Sequence, residues 1–322
     1  MRALFYKVFE VPLNRGNMEV IMKINIDAGH GTNTAGKRTP PMPIAIDVDG
    51  DGMTDIKVGD QYREHYANVE VANLLLQELK RCGIDTMQTG FNDDNAADDL
   101  DTDLATRQKA IVAANCDYSI SVHFNAFGDG ANFNTASGVG IYIHDKNINE
   151  SEALARVVLK YLLGGTAQTI RGITKQSLAM VNCNNLGVKG AILVELAFMT
   201  NLREATELMA NKKFWKECAQ EITKGVCEYT GIKYIPENYI PDKTITTESS
   251  REDIKWAQEQ LNKVLPVIPS IVPLKVNGSY GPLTRIATLI YWNQLGWGKD
   301  MADDGTKIGK STISALVAKR KA

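Results

Sequence analysis

Short apolar runs alternate with amphipathic stretches over residues 22–231. MKINIDAGHG, at 22–31, reads as a strand that ends in a glycine turn. From Arg63 to Arg81, Ala67, Val71, Leu74, Leu75 and Leu79 recur at helical spacing, and Gly83 supplies a stop. Glu64 falls seven residues before Val71, which sets its carboxylate near the apolar face of the first turn. Further strands are predicted at Ile84–Thr89, at YSISVHFNA (118–126), at Gly138–Ile143 and at AILVEL (191–196). Helices are predicted at Leu104–Asn115, Glu150–Leu163, 202–209 and 211–229. Strands that alternate with helices predict an α/β domain with a mixed or mostly parallel sheet and helices on both faces.

After Gly231 the rhythm changes. Residues 232–250 hold Pro236, Pro241 and a Ser/Thr cluster with little apolar periodicity, and read as a linker. In 251–322, REDIKWAQEQLNKVL is amphipathic through Ile254, Ala257, Leu261 and Val264, a glycine-rich turn follows, and ATLIYWNQLG is a second helix. VNGSYGPLTRIATLI and DDGTKIGKSTISALV share a rhythm of glycine, threonine and apolar helix. A small all-helical C-terminal domain with weak internal duplication is expected. Residues 1–21 precede the first good strand and read as an extension.

Composition narrows the function classes. The chain has 322 residues, with 36 Lys and Arg against 38 Asp and Glu, a near-neutral balance that gives no support to a nucleic-acid partner. No stretch reaches the length of a membrane span. Cys82, Cys116, Cys183, Cys218 and Cys227 are odd in number and widely spaced, so core thiols are expected rather than a disulfide framework. None is assigned to catalysis or to a metal.

The candidate chemistry lies in four residues: His30 after the first strand, Glu64 at a helix start, His123 near the end of a middle strand, and Glu195 near the end of AILVEL. Two histidines and a carboxylate can hold zinc with one position open, and a further glutamate can move a proton. The spacing matches no short zinc motif such as HExxH. By itself it leaves open a capping histidine and an N-cap glutamate. His65, adjacent to Glu64, is expected to be solvated or bonded to a loop, and His144 to be exposed. In the long loop after His30, Asp47, Asp49, Asp51 and Asp55 stand at positions of an EF-hand-like calcium loop, with Val58 where the bidentate glutamate belongs. A structural calcium ion or a solvated acidic turn are the alternatives. That loop is expected to border the substrate groove, with 176–187 as another wall.

Over roughly 22–230 the chain resembles the zinc-dependent N-acetylmuramoyl-L-alanine amidases of bacterial autolysins and phage or prophage endolysins. The likeness rests on IDAGHG around His30, the helix start Glu64–Asn68, LATRQKAIVAAN (104–115), SVHFNA around His123 and LVELAFMTN (193–201). It implies zinc held by His30, Glu64 and His123, with Glu195 as acid and base. The substrate bond implied joins the lactyl carbonyl of N-acetylmuramic acid to L-alanine. Asn125 and Arg107 also match family positions, where roles supporting the site are expected ahead of substrate contact.

Residues 251–320 resemble the small helical peptidoglycan-binding domain often fused to wall hydrolases. Trp256, Tyr280, Tyr291, Trp292 and Trp297 divide between core and sugar-stacking roles, and the GSYGP turn is expected to face ligand. Bacterial peptidoglycan is the expected partner and a monomer the expected state. The opening twenty residues lack a signal-peptide pattern, so cytoplasmic synthesis and release to the wall are expected. A zinc peptidase cutting within the stem peptide, or a non-catalytic wall-binding protein, are the competing readings.

Overall fold

The computed structural model describes residues 22–146, 149–297 and 304–320. The 1–21 extension and the first residue of the second glycine echo lie outside the described residues. Six strands, β1 (Lys23–Ala28), β2 (Asp85–Thr89), β3 (Tyr118–Asn125), β4 (Val139–Ile143), β5 (Ile170–Lys175) and β6 (Gly190–Phe198), form one sheet in the order β2-β1-β3-β6-β4-β5. Every neighbouring pair is parallel except β4 and β6. This is the mixed, mostly parallel α/β sheet the pattern predicts.

The helices before residue 232 are α1 (Glu64–Arg81), α2 (Leu104–Ala113), α3 (Asn149–Leu162), the single turns α4 (Cys183–Leu186) and α5 (Leu202–Glu204), and α6 (Lys212–Thr230). Side chains alternate across a strand. On β3, Tyr118, Ile120, Val122 and Phe124 therefore enter the main core with residues of α1, α3 and α6. Ser119, Ser121, His123 and Asn125 face the other way. There α2 and the 179–186 segment cover part of the sheet through Ile111, Met180, Cys183 and Leu186. Helices thus lie on both faces, but one face is left partly open, and the site is built there.

Besides the short unpredicted turn α4, two elements depart from the pattern. β5 is unannounced because it is an edge strand exposed along most of its length, so IRGITK carries no alternation to read. The helix expected at 202–209 is one α-turn followed by a π-helical turn over Ala205–Met209. All five cysteines are free and buried.

A separate core forms among α7 (Arg251–Val264), α8 (Pro282–Gln294) and α9 (Lys310–Val317), around Ile254, Ala257, Leu261, Tyr291 and Leu316. The sequence echo has a structural counterpart. Gly281 and Gly309 cap α8 and α9 in extended conformations, and the third residue of each helix is a buried threonine. Thr284 Oγ1 accepts a hydrogen bond from Gln258, and Thr312 Oγ1 accepts one from Trp292 Nε1. Trp256, Tyr280, Tyr291 and Trp292 are all buried, so these four are core aromatics. In the GSYGP turn Gly278 and Tyr280 are held inward, where Gln258 Oε1 accepts the N–H groups of Asn277 and Gly278 and Tyr280 donates to the Gly305 carbonyl, while Ser279 and Pro282 are exposed. Among the described residues no helix is long and apolar enough to cross a membrane.

Candidate active site

In open α/β sheets the groups that meet ligands gather beyond the carboxyl ends of parallel strands. His30 leaves β1 there, and His123 near the end of β3 is paired in register with Glu195 of β6, so their side chains share a face. The turn Gly29-His30-Gly31 is fixed by close approach. A Cβ on Gly29 would fall 2.1 Å from the His123 ring, and one on Gly31 would fall 2.2 Å from the Asp101 backbone nitrogen. His30 itself holds φ at +65°, a conformation costly to a residue with a side chain and often retained at functional sites.

Glu64 begins α1, where the helix dipole favours a negative charge. Its Oε1 lies 3.0 Å from His123 Nδ1 and accepts the Phe124 N–H at 3.2 Å. Its Oε2 lies 3.4 Å from His30 Nε2 and 4.0 Å from Lys37 Nζ. The two imidazoles meet edge to face, with centroids 4.9 Å apart. Burial raises the Glu64 pKa, but the two imidazoles set against it, His123 first and then His30, outweigh it and hold the carboxyl well below its usual range. Burial lowers His123, yet its hydrogen bond with Glu64 wins and the imidazole is shifted upward. In His30 burial prevails and the shift is downward. Glu195 is pushed up to about 8, chiefly by burial.

Three atoms test whether this cluster fits a metal ion. His30 Nε2, Glu64 Oε2 and Glu195 Oε2 are buried without a hydrogen-bond partner. Buried polar atoms are paired in the great majority of cases, so orphans from three of the four residues mark a place where something else binds. One donor atom from each of His30, Glu64 and His123 lies within 4.8 Å of the others. Two imidazole nitrogens and a carboxylate oxygen suit a tetrahedral ion with one open position.

Behind the cluster runs a polar chain that pattern reading passed over. Ser121 Oγ stands 3.1 Å from His123 Nε2 and donates to Asp27 Oδ2 at 2.5 Å. Asp27 Oδ1 accepts from Thr89 at 2.9 Å and from Arg107 at 3.0 Å. Arg107, buried, also donates to the carbonyls of Ala28 and His30, each at 2.7 Å. It therefore locks the backbone on both sides of Gly29. The signal for Asp27 and Ser121 was a carboxylate and a hydroxyl inside the apolar strands KINIDA and YSISVH.

The remaining candidates divide. Asn125 Oδ1 accepts the Ala126 N–H and holds the turn after β3. Of the two expectations for His65, solvated or bonded to a loop, the second holds: it is buried, with Nδ1 2.9 Å from the Gly29 carbonyl and Nε2 3.2 Å from Asp99. His144 is also buried, against the exposure expected, because the chain at Gln176 and Ser177 folds over the end of β4; its Nδ1 accepts the Lys146 N–H. Asp47, Asp49 and Asp55 approach one another on the surface, but Asp51 stands outside that group and accepts the Met53 N–H. Asp47 accepts the N–H groups of Gly50 and Gly52, so these carboxylates fold their own turn.

The loop after His30 reaches the site through Lys37, 4.0 Å from Glu64, but its acidic turn lies away from it. That turn lines a separate cleft of about 490 Å³ with Tyr62, Tyr66 and Trp215, because Ile46 and Ile56 anchor it near Ala205 and Ala210. The cavity at His30 and His123, about 510 Å³, is walled by Leu104, Leu178, Met180 and Leu193. The 176–187 segment is thus a wall of the site.

Comparison with known proteins gives this geometry a family. The sequence profile of N-acetylmuramoyl-L-alanine amidase matches residues 24–228. Among solved structures, the chain is similar to an N-acetylmuramoyl-L-alanine amidase from Clostridium difficile 630, with 24% identity and a TM-score of 0.51 over 66% of this chain and 97% of that one. It is also similar to Cwp6 from Clostridium difficile, with 22% identity and a TM-score of 0.50 over 65% of this chain and 29% of that one. At these identities the structural likeness is one of fold. No curated protein sequence matches the chain significantly. The profile match runs from β1 to α6 and takes in His30, Glu64, His123 and Glu195, and on its extent the chain belongs to the N-acetylmuramoyl-L-alanine amidase family.

Proposed function

We propose that this enzyme is a zinc-dependent peptidoglycan amidase that lyses the wall by cutting the bond between N-acetylmuramic acid and L-alanine. One observation carries the reading: the unpartnered, buried atoms His30 Nε2, Glu64 Oε2 and Glu195 Oε2 gather beside His123. His30, Glu64 and His123 would hold zinc, which when bound supplies a Lewis acid that polarises the scissile carbonyl and makes water more acidic.

The chain's own groups do the rest. Glu64, low in pKa, stays charged and gives the site its fixed negative group. Glu195 takes a proton from the attacking water and returns it to the departing alanine nitrogen, which leaves only as a neutral amine. Its raised pKa suits the second half of that task, since a carboxyl that holds its proton near neutral pH is a ready donor. Leu104, Leu178, Met180 and Leu193 restrict water on one flank. The helical unit α7–α9 anchors the enzyme to the wall in this reading, and the 232–250 segment tethers it.

The test is digestion of purified walls by enzyme stripped with a chelator and then resupplied with zinc. New α-amino groups on L-alanine should vanish on stripping and return with zinc. Activity that survives complete removal of metal would contradict the reading.

A further inference from the structure

Beside Glu195 the sheet carries a second, smaller cavity of about 200 Å³, lined by Asn125, Gly140, Tyr142, Ile170, Arg171 and Thr174. Its position follows from strand register. Gly140 of β4 is paired with Glu195, and Tyr142 with Leu193, so both sit on the face that carries the catalytic carboxylate. Asn125, two residues past His123 on β3, opens on the same face. The cavity therefore continues the site on the flank of Glu195 toward β4 and β5, away from the wall built by Leu178 and Met180.

Its one charged residue is aimed there by a bulge. The β4–β5 pairing runs Val139 to Ile170 and then Gly140 to Gly172, which leaves Arg171 as an extra residue. A bulge of this kind redirects a side chain. The Arg171 Cβ lies 3.2 Å from where a Gly140 Cβ would stand, so the arginine crosses over Gly140 on the Glu195 side of the sheet. Its guanidinium then rests 4.9 Å from the centroid of Phe198, and Nη1 donates to the Ser137 carbonyl at 3.3 Å. Among the described residues no carboxylate pairs with Arg171. Lys37, the other cation near the site, is already set against Glu64.

We propose that this cavity is a subsite for the peptide side of the substrate, and that Arg171 binds a carboxylate on the stem peptide close to the bond that is cut. The proposal rests on the amidase reading. The charge assigns the side: the muramyl portion is neutral once its lactyl carboxyl is an amide, whereas the peptide bears free carboxylates. A planar guanidinium stacked on a ring and held by one carbonyl keeps N–H groups free for such an acceptor. Gly140 is part of the device, since a side chain there would displace the arginine.

The experiment compares two soluble muramyl peptides that differ only in whether the carboxyl nearest the scissile bond is free or amidated. Their cleavage is followed for the wild type, Arg171→Gln, Arg171→Lys and Gly140→Ala. The wild type should favour the free carboxylate by about 10- to 100-fold in kcat/KM, the range expected of a hydrogen-bonded ion pair. Arg171→Gln should erase that preference by raising KM for the acid much more than for the amidated peptide. Arg171→Lys should restore part of it, and Gly140→Ala should weaken it without touching the charge.

Equal loss on both peptides in Arg171→Gln, or no preference in the wild type, would overturn the assignment while the amidase reading stands. If the wild type cleaves neither peptide, that reading falls and this one with it. Arg171 is exposed on an edge strand, and an unchanged melting temperature in Arg171→Gln excludes misfolding as the cause.

Discussion

Ser121 donates its hydroxyl proton to Asp27 across 2.5 Å, which leaves its oxygen free only to accept from His123 Nε2 at 3.1 Å. Paired in this way, Nε2 keeps its hydrogen when a metal binds, and the proton a metal would displace is the one on Nδ1, the atom that faces Glu64. Ser121→Ala removes this orientation while leaving Asp27 paired with Arg107 and Thr89. Zinc affinity, measured by competition with a coloured chelator, should fall by about 10- to 100-fold. Unchanged affinity would show that the Ser121 contact does not set the imidazole.

Gln258 tests the helical unit. Its side chain spans α7, the 277–279 turn and Thr284, accepting from two backbone N–H groups and donating to Ser279 and Thr284. Gln258→Ala strands the buried Gly278 N–H and Thr284 hydroxyl among those partners and should cost about 2–4 kcal/mol in denaturant unfolding of this unit. Cleavage of a small soluble muramyl peptide should be unaffected, because the residues of the catalytic cluster lie in the other core.

Glu221 gives a pH dependence of stability. On α6 it crowds Gly165 together with Glu217, and burial with the Glu217 charge pushes its carboxyl up to about 7. Its folded pKa lies above the unfolded value, so its contribution is full below the usual carboxylate pKa and is lost as pH rises through about 7. Glu221→Gln keeps the neutral form throughout. Thermal melts should coincide with the wild type near pH 4 and separate by pH 8, the variant being more stable by about 1–3 kcal/mol. A difference that stays constant with pH would rule out Glu221 as the titrating group.

Much of the architecture was legible because each central strand carries its own apolar run and each long helix its own 3.6-residue stripe. β3 alternates Tyr118, Ile120, Val122 and Phe124 with polar residues, β6 is apolar on both faces up to Glu195, and α1 repeats Ala67, Val71, Leu75 and Leu79 toward the core. β5 was not legible, since an edge strand with little to bury leaves no pattern. Of the site, the histidines at strand ends stood out, whereas Asp27 and Ser121 looked like interruptions of a strand. Their meaning depends on Arg107 arriving from a helix some eighty residues away, which no local pattern records. The same limit applied to Arg171, whose direction is set by a register shift between two strands, and to the acidic turn, carried off the groove by packing around Ile46 and Ile56.

The most direct test of the account is mass spectrometry of purified peptidoglycan digested by the wild type and by Glu195→Gln. The account predicts glycan chains bearing bare muramic acid and intact stem peptides that begin with L-alanine. It predicts a loss of about 100-fold or more in rate for the variant, with zinc still bound. New termini between later stem residues, or a variant that cuts at the wild-type rate, would contradict it.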